Sequence, residues 1–263
     1  MKRIKLFLPL FFIASLFLVS ACSSDDDSKD DLDDDLIKID EPGKISGLGV
    51  TEGKLTGKKY ELPDGIILAG KIFGVGEYYE EASLDKTEIM LQIRSNVLDY
   101  GIDYDVNVGS GYAVTVVLPL ENITDKDIEL TFPAGLILKS KNNDRQNGLL
   151  TKKATVTLPK KDKYTVILSM YCCHESKPAP SSKDEMEWAV ITNSSLLLEI
   201  CDLVKYKKVN IEEIVKSYSD YSPDYLNLCA YINNRIWDLT DRGLALTEEH
   251  REWFRNLPPS SQN

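Results

Sequence analysis

Tyr112-Ala113-Val114-Thr115-Val116-Val117-Leu118 is the stretch on which the fold class turns. Val114, Val116 and Leu118 share one parity, so an extended backbone places all three on one face. Short apolar or alternating runs recur on both sides of it, at residues 66–68, 72–73, 87–93, 128–138, 154–158 and 164–170. Turn formers separate them: Pro63-Asp64-Gly65, Gly74-Val75-Gly76, Asp99-Tyr100-Gly101, Gly109-Ser110-Gly111, Asn142-Asn143-Asp144 and Pro159-Lys160-Lys161-Asp162. Many short strands with regular turns and no long intervening helices predict an immunoglobulin-like antiparallel β-sandwich over residues 44–173. Gly74-Val75-Gly76 reads as a turn. A dinucleotide fingerprint requires a third glycine opening a helix, and here Glu77, Tyr78 and Tyr79 follow.

Beyond Cys173 the texture changes. Residues 174–182 (HESKPAPSS) form a polar, proline-bearing loop, and residues 194–206 are apolar almost all round, as in a buried helix. Ile211, Ile214, Val215 and Tyr218 stand at helical spacing. Ser222-Pro223 opens the clearest helix, with Tyr225, Leu228, Cys229, Ile232, Ile236 and Trp237 in one stripe. Thr247, followed by Glu248 and Glu249, caps a last helix that Leu257-Pro258-Pro259 stops. The expected class is therefore α+β: a β-sandwich, then a helical cap over 174–258 and a disordered tail, 259–263.

The N-terminus carries different information. Lys2, Arg3 and Lys5 precede an apolar run from Leu6 to Val19, and Ser20-Ala21-Cys22 follows. These are the three parts of a secretory leader, and the run is short for a membrane-crossing helix. Leu18-Val19-Ser20-Ala21-Cys22 resembles a bacterial lipobox. The resemblance implies cleavage after Ala21 and acylation of Cys22, palmitate being one such acyl group. Several acyl chains make a firm anchor, since each buried methylene contributes about 0.8 kcal/mol. Removing residues 1–21 takes three of 31 basic residues and leaves 28 against 42 acidic ones. Residues 22–43 hold ten of those acids and two lysines, and like-charge runs stay solvated, so this range is expected to be a disordered tether. The run behind Cys22 (Ser24, Asp25, Asp26, Asp27) resembles the export signal of Bacteroidota surface lipoproteins, which implies the outer leaflet of the outer membrane. The remaining chain is mildly acidic, without the basic footprint that nucleic-acid binding requires.

Cys172, Cys173, Cys201 and Cys229 lie in the exported part. Four cysteines allow three pairings. The reading favoured here joins one of the vicinal pair to Cys229 or Cys201, and free buried thiols are the open alternative. His174 and His250 are the two histidines. Adjacent Cys173 and His174 point to opposite faces at a strand end, which argues against a nucleophile–base pair. Cys172-Cys173-His174 lacks the spacing of a zinc site. No metal, cofactor or catalytic set is expected. Tyr78, Tyr79, Tyr100, Tyr104 and Trp188 are candidates for stacking on sugars, or ordinary packing aromatics.

Two further resemblances concern the C-terminal half. Phe132-Pro133-Ala134-Gly135-Leu136-Ile137 with Gln146-Asn147-Gly148, and Asn233-Asn234-Arg235-Ile236-Trp237-Asp238-Leu239-Thr240-Asp241 with Gly243-Leu244 and Leu257-Pro258, resemble segments of uncharacterised surface proteins. The pairing of Cys172 or Cys173 with Ile232-Asn233-Asn234-Arg235-Ile236-Trp237 is similar to thioester domains of Gram-positive adhesins, with asparagine where those carry glutamine. The expected function is a non-enzymatic surface lipoprotein presenting a binding or adhesion module to a glycan, host molecule or partner protein. The alternatives are a surface hydrolase of polysaccharide or peptide, and a subunit or anchor of a surface fibre.

Overall fold

The computed structural model describes residues 36–75, 104–215 and 223–261. Cys22, the acidic run Ser24 to Asp27, the expected strand at 87–93, the turn at 99–101, Tyr78, Tyr79, Tyr100, Tyr218 and Ser222 lie outside the described residues.

The stretch at 112–118 seeds β5 (Val114–Asn122), and the run at 164–170 seeds β10 (Lys163–Cys172). The two pair antiparallel from Lys163 opposite Glu121 to Met170 opposite Val114. The other described strands are β1 (Gly57–Lys59), β2 (Ile66–Leu68), β3 (Ile72–Gly74), β4 (Val106–Gly109), β6 (Ile128–Phe132), β7 (Leu136–Ser140), β8 (Gly148–Leu149), β9 (Ala154–Leu158) and β11 (Glu185–Thr192). The ladder runs β5–β3–β11–β7–β8–β10 and returns to β5, closing a six-stranded barrel. β2 adds to β5, β1 adds to β11, and β4 runs parallel to β10. All other described pairs are antiparallel.

Parity decides what each face meets. Val114, Val116, Leu118 and Leu120 of β5, Leu136 and Leu138 of β7, and Val166, Leu168, Met170 and Cys172 of β10 form one buried cluster. The antiparallel β6–β9 ladder contributes Leu130, Phe132, Ala154, Val156 and Leu158 to it, while Glu129, Thr131, Thr155 and Thr157 stay outside. The odd residues Ile137, Leu149, Tyr171 and Cys173 face the helices instead. With both faces covered, β5 and β10 read as nearly continuous apolar runs, not strict alternations.

The helical region comprises α1 (Ser195–Val204), α2 (Ile211–Ile214), α3 (Pro223–Thr240) and α4 (Glu248–Arg255). Ile200, Val204, Cys229, Ile232, Ile236, Leu239 and Phe254 pack with the odd strand residues in one cluster. Thr247 caps α4 as expected, and its partner at the third helical position is His250, whose Nδ1 accepts from the Thr247 N–H at 3.2 Å. That contact gives His250 a structural role.

The antiparallel β body and helical C-terminal region agree with the sequence reading, and finer expectations change. Where they are described, the expected disordered tether and tail are held by backbone hydrogen bonds, Lys38 N donating to Asn193 O at 2.8 Å and Ser260 N to Tyr206 O at 2.8 Å. An immunoglobulin-like sandwich has two sheets with separate edges, whereas here β8 bridges β7 to β10 and closes the ladder. The run at 128–138 divides into β6 and β7 at Pro133-Ala134-Gly135, where Gly135 adopts φ 83°. The boundary expected at 173/174 does not separate strands from helices, because β11 returns to the sheet and pairs with β1, β3 and β7.

A buried charge ties the β body to the helical region. The Lys152 ammonium donates to Lys207 O at 2.7 Å, Glu213 Oε2 at 2.7 Å and Ser260 Oγ at 3.1 Å, which occupies its three hydrogens. Burial raises the Glu213 carboxyl, but hydrogen bonds from Lys152 and Ser260 and the lysine charge more than offset this, leaving it below its ordinary value. Its neighbour Glu212 accepts from Gly109 N at 2.9 Å and Asn210 Nδ2 at 2.9 Å. Burial dominates there and pushes the Glu212 carboxyl from 4.5 up to about 7. The folded protein then holds a proton that the unfolded chain has released, so this contribution to stability is full below about pH 4.5 and is lost as pH rises through 7. In Glu212→Gln the part of the stability fall between pH 5 and 8 that comes from this group should vanish. Denaturant melts across that range check it, and a wild-type-minus-variant difference independent of pH would refute it.

Candidate functional site

Three segments far apart in sequence enclose a polar pocket of about 480 Å³. Its walls are the loop 47–53, the end of β7 with the β7–β8 turn, and the segment that follows β10. Lys139, Arg145 and Lys177 line it, together with Thr51, Glu52, Ser140, Asn143, Asn147 and His174.

Each wall is held by identifiable contacts. In the first, Gly49 has φ 55°, and a Cβ there would lie 2.1 Å from the Thr240 carbonyl oxygen at the end of α3. Only glycine permits that approach. Gly49 N also donates to Cys173 O at 2.9 Å. In the second, Asn147 Oδ1 accepts from Ser140 N at 3.0 Å, which shapes the turn between β7 and β8. Buried Gln146 clamps the third: its Oε1 accepts from His174 N at 2.9 Å, and its Nε2 donates to the His174 and Lys177 carbonyls. Arg145 is fixed by Asp184, with Nε 3.1 Å from Oδ2. Burial raises the Asp184 carboxyl, while Ser181, Asn142 and Arg145 together bring it below its usual value. The Gln146-Asn147-Gly148 segment singled out in the sequence is thus the hinge of two walls.

His174 sits on the lining, with Nδ1 3.3 Å from Asp241 Oδ1 and 3.4 Å from Ser176 Oγ. A serine–histidine–aspartate relay needs the hydroxyl and the carboxylate on different ring nitrogens. Here both address Nδ1, so the three residues hold the loop and do not form a relay. Burial lowers the His174 pKa, Asp241 raises it and Lys177 lowers it, the net being a fall that favours the neutral ring.

The four described cysteines are buried free thiols, the alternative left open by the sequence, and not the bridges it favoured. Consecutive Cys172 and Cys173 point into different clusters, Cys172 into the barrel and Cys173 toward the helices. Burial raises all four thiols well above the ordinary thiol value, Cys229 to about 11 and Cys201 to about 12. Asn233 does meet Cys172, as the thioester comparison implied, but through the peptide. Its Oδ1 accepts from Cys172 N at 3.0 Å and its Nδ2 donates to Cys172 O at 3.4 Å. The side-chain amide thereby pairs with β10 as a neighbouring strand would.

The aromatic candidates separate in the same way. Trp188 packs in the barrel cluster between Tyr60, 5.0 Å away, and Phe132, 6.1 Å away. Tyr104 packs beside Val117 and Ile167. A second, more apolar groove of about 610 Å³ lies along α3 and α4, where Tyr231 and Trp253 stack at 3.8 Å. Sequence reading missed Lys139, Arg145 and Lys177 because nothing in linear order joins them. The one available signal was the glycine spacing Gly47, Gly49, Gly53. Among the described residues no group of three histidine, cysteine or carboxylate side chains is placed to hold a metal ion, and no helix is long and apolar enough to cross a membrane. Comparison with protein-family models, curated proteins and solved structures found no match.

Proposed function

We propose that the protein is a lipid-anchored, outer-membrane surface module that binds its ligand in the pocket between the 47–53 loop, the β7–β8 turn and the segment after β10. The observation that carries the binding reading is that pocket, a polar cavity whose walls are pinned by Gly49, Gln146 and Arg145 on a closed barrel. Rigid walls lower the ordering cost of binding. The anchor reading rests on the lipobox at Cys22 and on the acids behind it, which would act as a solvated leash.

One experiment with paired arms tests both parts. Cells expressing the full chain are probed with a panel of fluorescent glycans and then fractionated. Cys22→Ala should move the protein from the membrane to the soluble fraction. Asn143→Trp, at an exposed position on the lining, should abolish retention of whichever glycan the parent holds. Unchanged fractionation would overturn the anchor reading. Unchanged retention in Asn143→Trp, or no retained glycan in the parent, would overturn the binding reading.

A further inference from the structure

We infer that the pocket takes an acidic oligosaccharide, with a ligand carboxylate held among Lys139, Arg145 and Lys177. This rests on the reading of the pocket as the ligand site and names the class of ligand.

Charge is the first argument. Some of the described lysines have a carboxylate partner, as Lys71 and Lys141 with Glu185 or Lys152 with Glu213, and others on the open surface, such as Lys54, Lys126 and Lys153, have no ion pair. Among the described residues Lys139 and Lys177 have none, yet both line one cavity. Arg145, held by Asp184, brings a third cation in a fixed position. Asp184 offsets the Arg145 charge, while Lys139 and Lys177 have no ion pair and leave the cavity a net positive site that an anion would complete. Glu52 is the one acid on the lining and disfavours a carboxylate on its own side.

The rest of the lining selects what carries the anion. Thr51, Ser140, Asn143 and Asn147 offer hydroxyl and amide groups, and Val50 is the one large apolar side chain. A peptide ligand would have to bury apolar side chains, which this lining does not reward. A hydroxyl-rich sugar ring matches donor and acceptor groups at short spacing. No Phe, Tyr or Trp ring lines the pocket, so a neutral sugar lacks the usual stacking platform, and the charge must supply the affinity. A cavity of about 480 Å³ has room for one or two sugar residues.

The test uses the full chain in detergent micelles and titration calorimetry. The probes are tetragalacturonate, its fully methyl-esterified form, and tetraglutamate. Tetragalacturonate should bind, and esterification should weaken it by about tenfold or more, as expected for losing a charge-assisted contact. Lys139→Gln/Lys177→Gln, with an unchanged melting temperature, should weaken it by a similar factor and flatten its salt dependence. Equal binding of acid and ester, full affinity in the double variant, binding of tetraglutamate alone, or no binding of any probe would each overturn the inference. Asn143→Trp keeps the two readings apart. If it abolishes binding of the glycan retained on cells while the lysine variant does not, the pocket reading stands and the acidic ligand falls; if neither changes it, the pocket reading itself is wrong.

Discussion

Lys152→Met is expected to lower the melting temperature by about 10 °C. The side chains of Lys152 and Glu213 are 4 % and 0 % exposed. Removing the ammonium leaves the Glu213 carboxylate, the Lys207 carbonyl and the Ser260 hydroxyl without the donor that joins them. Breaking one side of a buried pair costs about 3–5 kcal/mol, and in a chain of this size each kcal/mol moves the midpoint by about 2–4 °C. The site joins residue 152, the segment after α1, α2 and the C-terminal segment, so the loss is felt in four places at once. Lys152→Met combined with Glu213→Gln should recover part of the stability, because the stranded charge is gone. Thermal melts of the three proteins decide it. A single variant within about 2 °C of wild type would show that water replaces the ammonium without cost.

Asn233→Leu should destabilise the fold by about 3 kcal/mol although leucine is nearly the same size. The change leaves the Cys172 N–H and carbonyl unpaired in the interior, and each unsatisfied buried group costs about 1–3 kcal/mol. Exchange of the Cys172 amide should accelerate sharply in the variant, whereas amides in the β6–β9 ladder should keep their protection. A loss below about 1 kcal/mol, or an unchanged exchange rate at Cys172, would remove Asn233 as the link between α3 and β10.

Legibility tracked the length of each element. β5, β9, β10, α1, α3 and α4 are long or regular enough for periodicity to reveal, and the Thr247 cap was visible as a residue type in the right place. Barrel closure was not, because it depends on β8, two residues whose pattern carries no information. β11 held a readable alternation, Glu185 and Glu187 against Met186 and Trp188, masked by the proline-bearing loop ahead of it. The register shift between Trp188 and Ile191 then broke the pattern midway. The pocket was harder still. Its cations come from residues 139, 145 and 177, and only the fold makes neighbours of them. Asn233 near Cys172 was legible by resemblance, while its role as a surrogate strand needed coordinates.

The sealed sulfurs have a practical corollary. A maleimide dye cannot reach any of the four until its surroundings open, so labelling times each opening separately. Cys172 reports on the barrel interior, Cys173 and Cys229 on the seam beneath the helices, and Cys201 on α1. The molecule thus carries four internal clocks, and mass spectrometry of partly labelled samples would read the order in which its regions come apart.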